Sequence, residues 1–253
     1  MKKQLIAAVG VFIITILTIL LVCPGLYTAE ETLPTPEEII AKNIEAIGGI
    51  KALNKIKNKK TVTINKGSSG NFEIRDTIYW ERPNNYYQSA DTGVKSGYNG
   101  KIAWSINPHS RTRLRLYEGD DLSRRLFLSQ FDGLDGPDVS YKSMKTEGIE
   151  QINGKDCYKV VKTTEMDFTR TVYYDKESFL IVKITRDNNK AGQYYEDYRK
   201  VNGILFAFKK MGGEIIIYET IECNIEMPEG IFDIPEEIKA IMDKNETEQH
   251  AQQ

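Results

Sequence analysis

The stretch Phe72-Glu73-Ile74-Arg75-Asp76-Thr77-Ile78-Tyr79-Trp80-Glu81 decides the fold. Phe72, Ile74, Ile78 and Trp80 fall on its even positions, Glu73, Arg75, Thr77 and Glu81 on its odd ones, and Asp76 alone breaks the apolar row. Side chains of a strand alternate between two faces, so a period of two predicts a β-strand with one buried face; a helix would repeat its apolar residues every three or four positions.

The same punctuation continues in both directions. Lys66-Gly67-Ser68-Ser69-Gly70, Asn99-Gly100, Asn153-Gly154, Asp187-Asn188-Asn189, Asn202-Gly203 and Gly212-Gly213 are turn signals, several of the kind favoured in tight hairpins. Between them, Tyr158 with Val160, Val172 with Tyr174, Leu180 with Val182 and Ile184, Ile204 with Phe206 and Phe208, and Ile215 with Ile217 supply further apolar faces. This predicts about ten to eleven antiparallel strands. Strands do not alternate with helices, which excludes a doubly wound parallel sheet.

Helices are predicted in few places. Thr35-Pro36-Glu37-Glu38 reads as a capping box with proline at the first helical position, and Ile40, Ile44 and Ile47 follow at helical spacing. Gly48-Gly49 ends that helix, and Ile50, Leu53 and Ile56 mark a short second one. Asp120 and Asp121 are placed to cap a third, with Leu122, Leu126, Phe127 and Phe131 as its apolar stripe. Asp243 to Gln253 reads as a polar, mobile tail.

Lys2 and Lys3 precede an uncharged run from Leu5 to Val22, and Pro24-Gly25 follows, which is the pattern of an export segment. The run exceeds the ~7–15 residues of an ordinary signal core and approaches the ~18 of a spanning helix. A cleaved signal, a retained anchor and acylation at Cys23 in the lipobox-like Leu20-Leu21-Val22-Cys23 all stay open. The expected organisation is therefore an export signal or membrane anchor over 1–29, one domain over 30–242, and the tail over 243–253. A periplasmic or otherwise extracytoplasmic location follows. There, Cys157 and Cys223 could form a disulfide, but strand alternation sets Cys157 opposite Tyr158 and Val160 while Cys223 shares a face with Ile221 and Ile225, favouring two thiols.

Composition removes several functions. With 34 Lys and Arg against 36 Asp and Glu, the formal charge of -2 gives no field to gather a phosphate backbone, so nucleic acid is not an expected partner. Two histidines cannot build a multi-histidine metal site. Asp132, Asp135 and Asp138 lack the alternate-residue spacing of a calcium loop, and His109 sits in a turn with no acid nearby to orient it. No glycine-rich phosphate loop and no G-x-S-x-G occurs. The sequence thus predicts no enzyme, catalytic residue, metal or cofactor. Two basic groups, Lys51, Lys55, Lys57, Lys59 and Lys60, and Arg111, Arg113 and Arg115 with Arg124 and Arg125, fit either a solvated face or contact with anionic head groups.

Several segments together resemble the outer-membrane lipoprotein-sorting, or LolA-like, superfamily. They are Ala46-Ile47-Gly48-Gly49; Tyr79-Trp80-Glu81-Arg82-Pro83-Asn84; Ser96-Gly97-Tyr98-Asn99-Gly100-Lys101-Ile102-Ala103-Trp104 with Ile106-Asn107-Pro108; Asp197-Tyr198-Arg199-Lys200-Val201-Asn202-Gly203; and Phe232-Asp233-Ile234-Pro235. The resemblance runs from about Glu37 to Pro235. It implies a mainly β fold with some α, an incomplete antiparallel β-barrel covered by lid helices, with an apolar cavity for acyl chains. It also implies that Arg82 is the latch that ties down the lid, and that Tyr86 stands where carriers have a lid-facing phenylalanine. The expected cavity residues are Phe72, Ile74, Ile78, Trp80, Tyr86 and Trp104. The expected function is a monomeric lipid or lipoprotein carrier that takes part in lipoprotein sorting or lipid transport to the outer membrane. Its partners would be lipid acyl chains or acylated lipoproteins, together with a membrane surface or membrane receptor. The alternative is a membrane-associated, lipid-sensing regulatory module on the same fold.

Overall fold

The structure, a computed structural model, describes residues 32–128, 141–165, 167–186 and 189–250. The chain divides after Leu33, and every element below lies in the unit that begins at Pro34. The segment 1–29, Cys23 and the loop with Asp132, Asp135 and Asp138 lie outside the described residues. Among the described residues no helix is long and apolar enough to cross a membrane.

Helix α1 (Pro36–Ala46) starts at the capping box: Glu38 N–H donates to Thr35 Oγ1 at 3.2 Å, and Thr35 N–H donates to Glu38 Oε2 at 2.8 Å. It ends at Gly48, whose φ of +133° few other residues adopt and where a Cβ would meet the Gly203 carbonyl oxygen at 2.4 Å. The short α2 (Ile50–Leu53) follows. Then come β1 (Asn58–Gly67), β2 (Glu73–Glu81), β3 (Asn85–Ala90), β4 (Lys95–Tyr98), β5 (Ala103–Ile106) and β6 (Leu114–Tyr117), and α3 (Gly119–Leu128). The second half holds β7 (Tyr141–Ile152), β8 (Lys155–Thr164), β9 (Thr169–Asp175), β10 (Ile181–Arg186), β11 (Asn189–Val201), β12 (Ile204–Met211) and β13 (Glu214–Cys223), and α4 (Glu236–His250).

The strands form one antiparallel sheet in the order β6-β5-β4-β3-β2-β1-β13-β12-β11-β10-β9-β8-β7. It is two meanders joined by the pairing of β1 with β13, and its edges β6 and β7 do not meet, so the barrel is incomplete. The thirteen strands exceed the expected ten to eleven because β4, β5 and β6 span four residues each, too short to display a period of two. Register shifts in β1–β13, β9–β10 and β7–β8 mark bulges, which bend a strand and increase its twist.

Register assigns side chains to faces, because directly paired residues share one. On the first face, α1 sets Ile39, fully buried, against Tyr158, Val160, Val172, Tyr174 and Ile184. On that face too, Leu53 and Ile56 pack against Ile204, Phe208, Ile221 and Cys223, with Trp80 at the margin. On the second face, Trp104 and Ile106 of β5 pack against Ile238 of α4, with Tyr87, Leu114, Leu116, Ile241 and Met242 around them. In α4, Ile238, Ile241 and Met242, with Ile234 just before it, form the stripe that packs on this face, and the helix runs on to His250 through the segment expected to be a polar tail. Among the described residues, Cys157 and Cys223 are buried thiols, Cys157 on the second face and Cys223 on the first.

Candidate functional site

On the first face of β1–β6 the side chains fall into rows across the strands. Pairing sets Lys59, Trp80, Tyr86, Tyr98, Ala103 and Tyr117 in one row across the six strands. A second row holds Thr61, Ile78, Gln88, Ser96, Ser105 and Arg115. Beyond it lie Thr63, Asp76 and Ala90, then Asn65 and Ile74. Trp80 is half-buried beneath Lys59, whose ammonium sits 4.8 Å from the ring centroid. Ile74 and Ile78 are half-buried as well.

Asp76, the exception in the apolar row, is 4% exposed. Its carboxylate accepts from Gln88 Nε2 at 3.0 Å and from Asn65 Nδ2. Burial pushes its pKa up, and the two amide hydrogen bonds only partly offset that. Tyr86, 4% exposed, donates from its hydroxyl to Ser96 Oγ at 3.4 Å and accepts from Arg125 Nη2. Arg125 projects from α3 and lies 4.3 Å from the centroid of Tyr117, so α3 covers this end of the same face.

The helical cover is tied down at several points. Arg82 Nε donates to the Ile56 carbonyl at 2.9 Å, just beyond α2. Asn43, buried within α1, donates to the Phe179 carbonyl at 2.7 Å, and Leu205 N–H donates to the Ile47 carbonyl at 2.8 Å. Asn224, with a φ of +56°, accepts from Lys57 N–H at 2.8 Å and donates to the Lys55 carbonyl at 3.1 Å. Sequence reading missed Asn43 and Asn224. A polar residue at a helix position between Ile39 and Ile47 is a weak signal for the first, and nothing local marks the second.

The expected cavity residues do not all come together. Ile74, Ile78, Trp80 and Tyr86 share the first face. Trp104 is on the second: it pairs with Gly97 and Leu116, and its indole lies over Gly97, where a Cβ would meet it at 2.8 Å. The reason is the hairpin register, which pairs Tyr86, not Tyr87, with Trp80. Phe72 precedes β2 and is 38% exposed. Of the arginines expected to alternate along one strand face, only Arg115 is in β6; Arg111 and Arg113 sit in the exposed segment before it.

Among the described residues, chemical groups suited to catalysis do not converge. Among the described residues no three His, Cys, Asp or Glu side chains could hold a metal ion. Burial, with Asp175 adding to it, pushes the Cys157 thiol up to about 11, leaving it protonated and a poor nucleophile. His109 is exposed, 2.9 Å from the Thr92 carbonyl.

No protein-family model and no curated sequence matches the chain. Solved structures match its fold. A LolA superfamily protein from Nitrosomonas europaea superposes with a TM-score of 0.54 at 14% identity, over 80% of this chain and 99% of that one. A DUF1329 family protein from Desulfovibrio piger gives 0.53 at 12% identity, covering 78% and 96%. An outer membrane lipoprotein-sorting protein domain from Vibrio parahaemolyticus gives 0.50 at 12% identity, covering 78% and 95%. The chain thus has a LolA-like fold.

Proposed function

We propose that this chain is an extracytoplasmic lipid or lipoprotein carrier, without catalytic activity, that shelters acyl chains between the first face of β1–β6 and helices α1 to α3. One observation carries the reading: the face that receives all three helices leaves Ile74 and Ile78 half-buried on β2, between the strands under α2 and those under α3. Ile74, Ile78, Trp80 and Tyr86 line the acyl site, with Phe72 at its exposed end. Trp104 belongs to the opposite face and is left out. The LolA-like fold and the uncharged run Leu5 to Val22 support a place outside the cytoplasm and a role in lipid or lipoprotein traffic towards the outer membrane.

Burying acyl chain contributes about 0.8 kcal/mol per methylene, so about a dozen methylenes suffice for firm binding. Release then requires a cover that opens, and hydrogen bonds of about 1.5–3 kcal/mol to a charged donor are the right scale for a latch. Arg82 fills that role by holding the segment after α2.

Native mass spectrometry of the gently purified exported chain tests this directly: it is expected to carry lipid, or to take up a fluorescent fatty acyl probe. A protein that is always empty and takes up no probe would refute the proposal. Replacing Arg82 with Leu is expected to speed probe exchange several-fold while the domain stays folded; unchanged exchange removes the latch role.

A further inference from the structure

Arg115 and Arg125 both stack on Tyr117, at 4.8 and 4.3 Å from its ring centroid, yet among the described residues only Arg115 has a carboxylate partner. Arg115 pairs with Asp121, and both are exposed. Arg125 is half-buried, touches the rings of Tyr117 and Tyr86, and gives one N–H to the Tyr86 hydroxyl. Its Nε is buried with no hydrogen-bond partner, and among the described residues no carboxylate pairs with it. Around it stand further hydroxyls on the same face: Tyr86 with Ser96, and Tyr117 with Ser105 at 3.0 Å. A guanidinium desolvated against two aromatic rings, with an unused donor, is arranged for an oxyanion, which a guanidinium binds through two parallel N–H groups.

We propose that Arg125 is the head-group acceptor of the site, so that the preferred ligand is an acyl chain ending in an oxyanion, a carboxylate or a phosphate. The inference rests on the acyl-binding reading above and adds the polarity of the ligand's end. Its geometry is consistent along the sheet: the apolar Ile74, Ile78 and Trp80 are on β2, and the hydroxyl-rich patch under Arg125 begins at β3 and extends to β6. An acyl chain lying across the strands would meet grease first and charge at its end.

Displacement of the neutral fluorophore N-phenylnaphthylamine from the full chain tests it, with oleate, oleyl phosphate and oleyl alcohol as competitors of one chain length. Oleate or oleyl phosphate is expected to displace at a concentration about tenfold or more below that for the alcohol, and the stronger of the two identifies the head group. In Arg125→Gln the anion is expected to weaken until it matches the alcohol, while Arg125→Lys, which keeps the charge and loses the fork, retains part of the preference. Equal displacement by all three in the native chain, or a preference that survives in Arg125→Gln, overturns the head-group role and leaves acyl binding standing. If the fluorophore does not bind and no oleyl compound is taken up, both the head-group role and the acyl-binding reading fail.

Discussion

Trp80 and Trp104 differ by face, and replacing each with alanine separates packing from binding. Trp104 is 1% exposed, stacked over Gly97, 6.2 Å from Tyr87 between ring centroids, and closed in by Ile106 and Ile238. Truncating a buried Trp costs about 3–5 kcal/mol. Its indole N–H is buried without a partner, a burden of about 1–3 kcal/mol that alanine also removes, so the lower end of that range applies. For a domain of this size each kcal/mol lowers Tm by about 2–4 °C, giving a fall of about 6–12 °C for Trp104→Ala and a smaller one for Trp104→Phe. Trp80 is half-buried at the margin of the α2 cluster, and Trp80→Ala is expected to cost about 1–3 kcal/mol while raising the Kd for an acyl probe several-fold. Thermal melts give the stabilities, and probe titration well below both melting temperatures gives the affinities. If folded Trp104→Ala loses the probe as fully as Trp80→Ala, the assignment of binding to one face is wrong.

Asp76→Asn removes a carboxylate whose folded pKa lies above its ordinary 3.8, so in the native chain this group's stabilising contribution is present below that value and is lost as pH rises through the folded pKa. Urea melts of both proteins at several pH values from about 4 to 7 should therefore show the stability of Asp76→Asn, relative to the native chain, increasing with pH; a difference that decreases would contradict the burial argument. Gly48→Ala drives a Cβ into the Gly203 carbonyl at an unfavourable φ, whereas Gly49→Ala meets nothing within 4 Å, so chemical denaturation should find the first costlier by more than about 1 kcal/mol. Cys157 and Cys223 should resist a soluble thiol reagent in the folded protein and react on unfolding, and a failure of either to react when unfolded under non-reducing conditions would point to a bridge between them.

What could be read from the chain followed the range of the interaction. The capping box at Thr35 and Glu38, the strand β2 and the glycine pair ending α1 are each settled by residues within a few positions of one another, and all three were legible. The faces were not. Trp80 and Trp104 both look like inward aromatics on apolar strands, and which side each takes depends on three hairpin registers between them, β2 with β3, β3 with β4 and β4 with β5, where a one-residue slip reverses the answer. The same holds for α4, whose stripe of Ile238, Ile241 and Met242 finds its partner only because β5 and β6 return Trp104, Leu114 and Leu116 to the second face.

Two-sided coverage has a mechanical consequence for the proposed carrier role. A sheet that binds on one face must keep its curvature while its cover opens, and α4 packs behind the very strands, β3, β5 and β6, that oppose Arg125 and α3 in front. Buried side chains there, with Trp104 at the centre, hold the wall rigid, since a close-packed cluster shifts little without loss of contact. The cover is held both by packing, with Ile39 of α1 and Leu53 of α2 buried against this face, and by polar ties from Asn43 to Phe179, Arg82 to Ile56 and Asn224 to Lys57. On the proposed carrier reading, that stiff wall keeps the register of β1–β6 that sets Ile74, Ile78, Trp80 and Tyr86 on one face whatever the cover does.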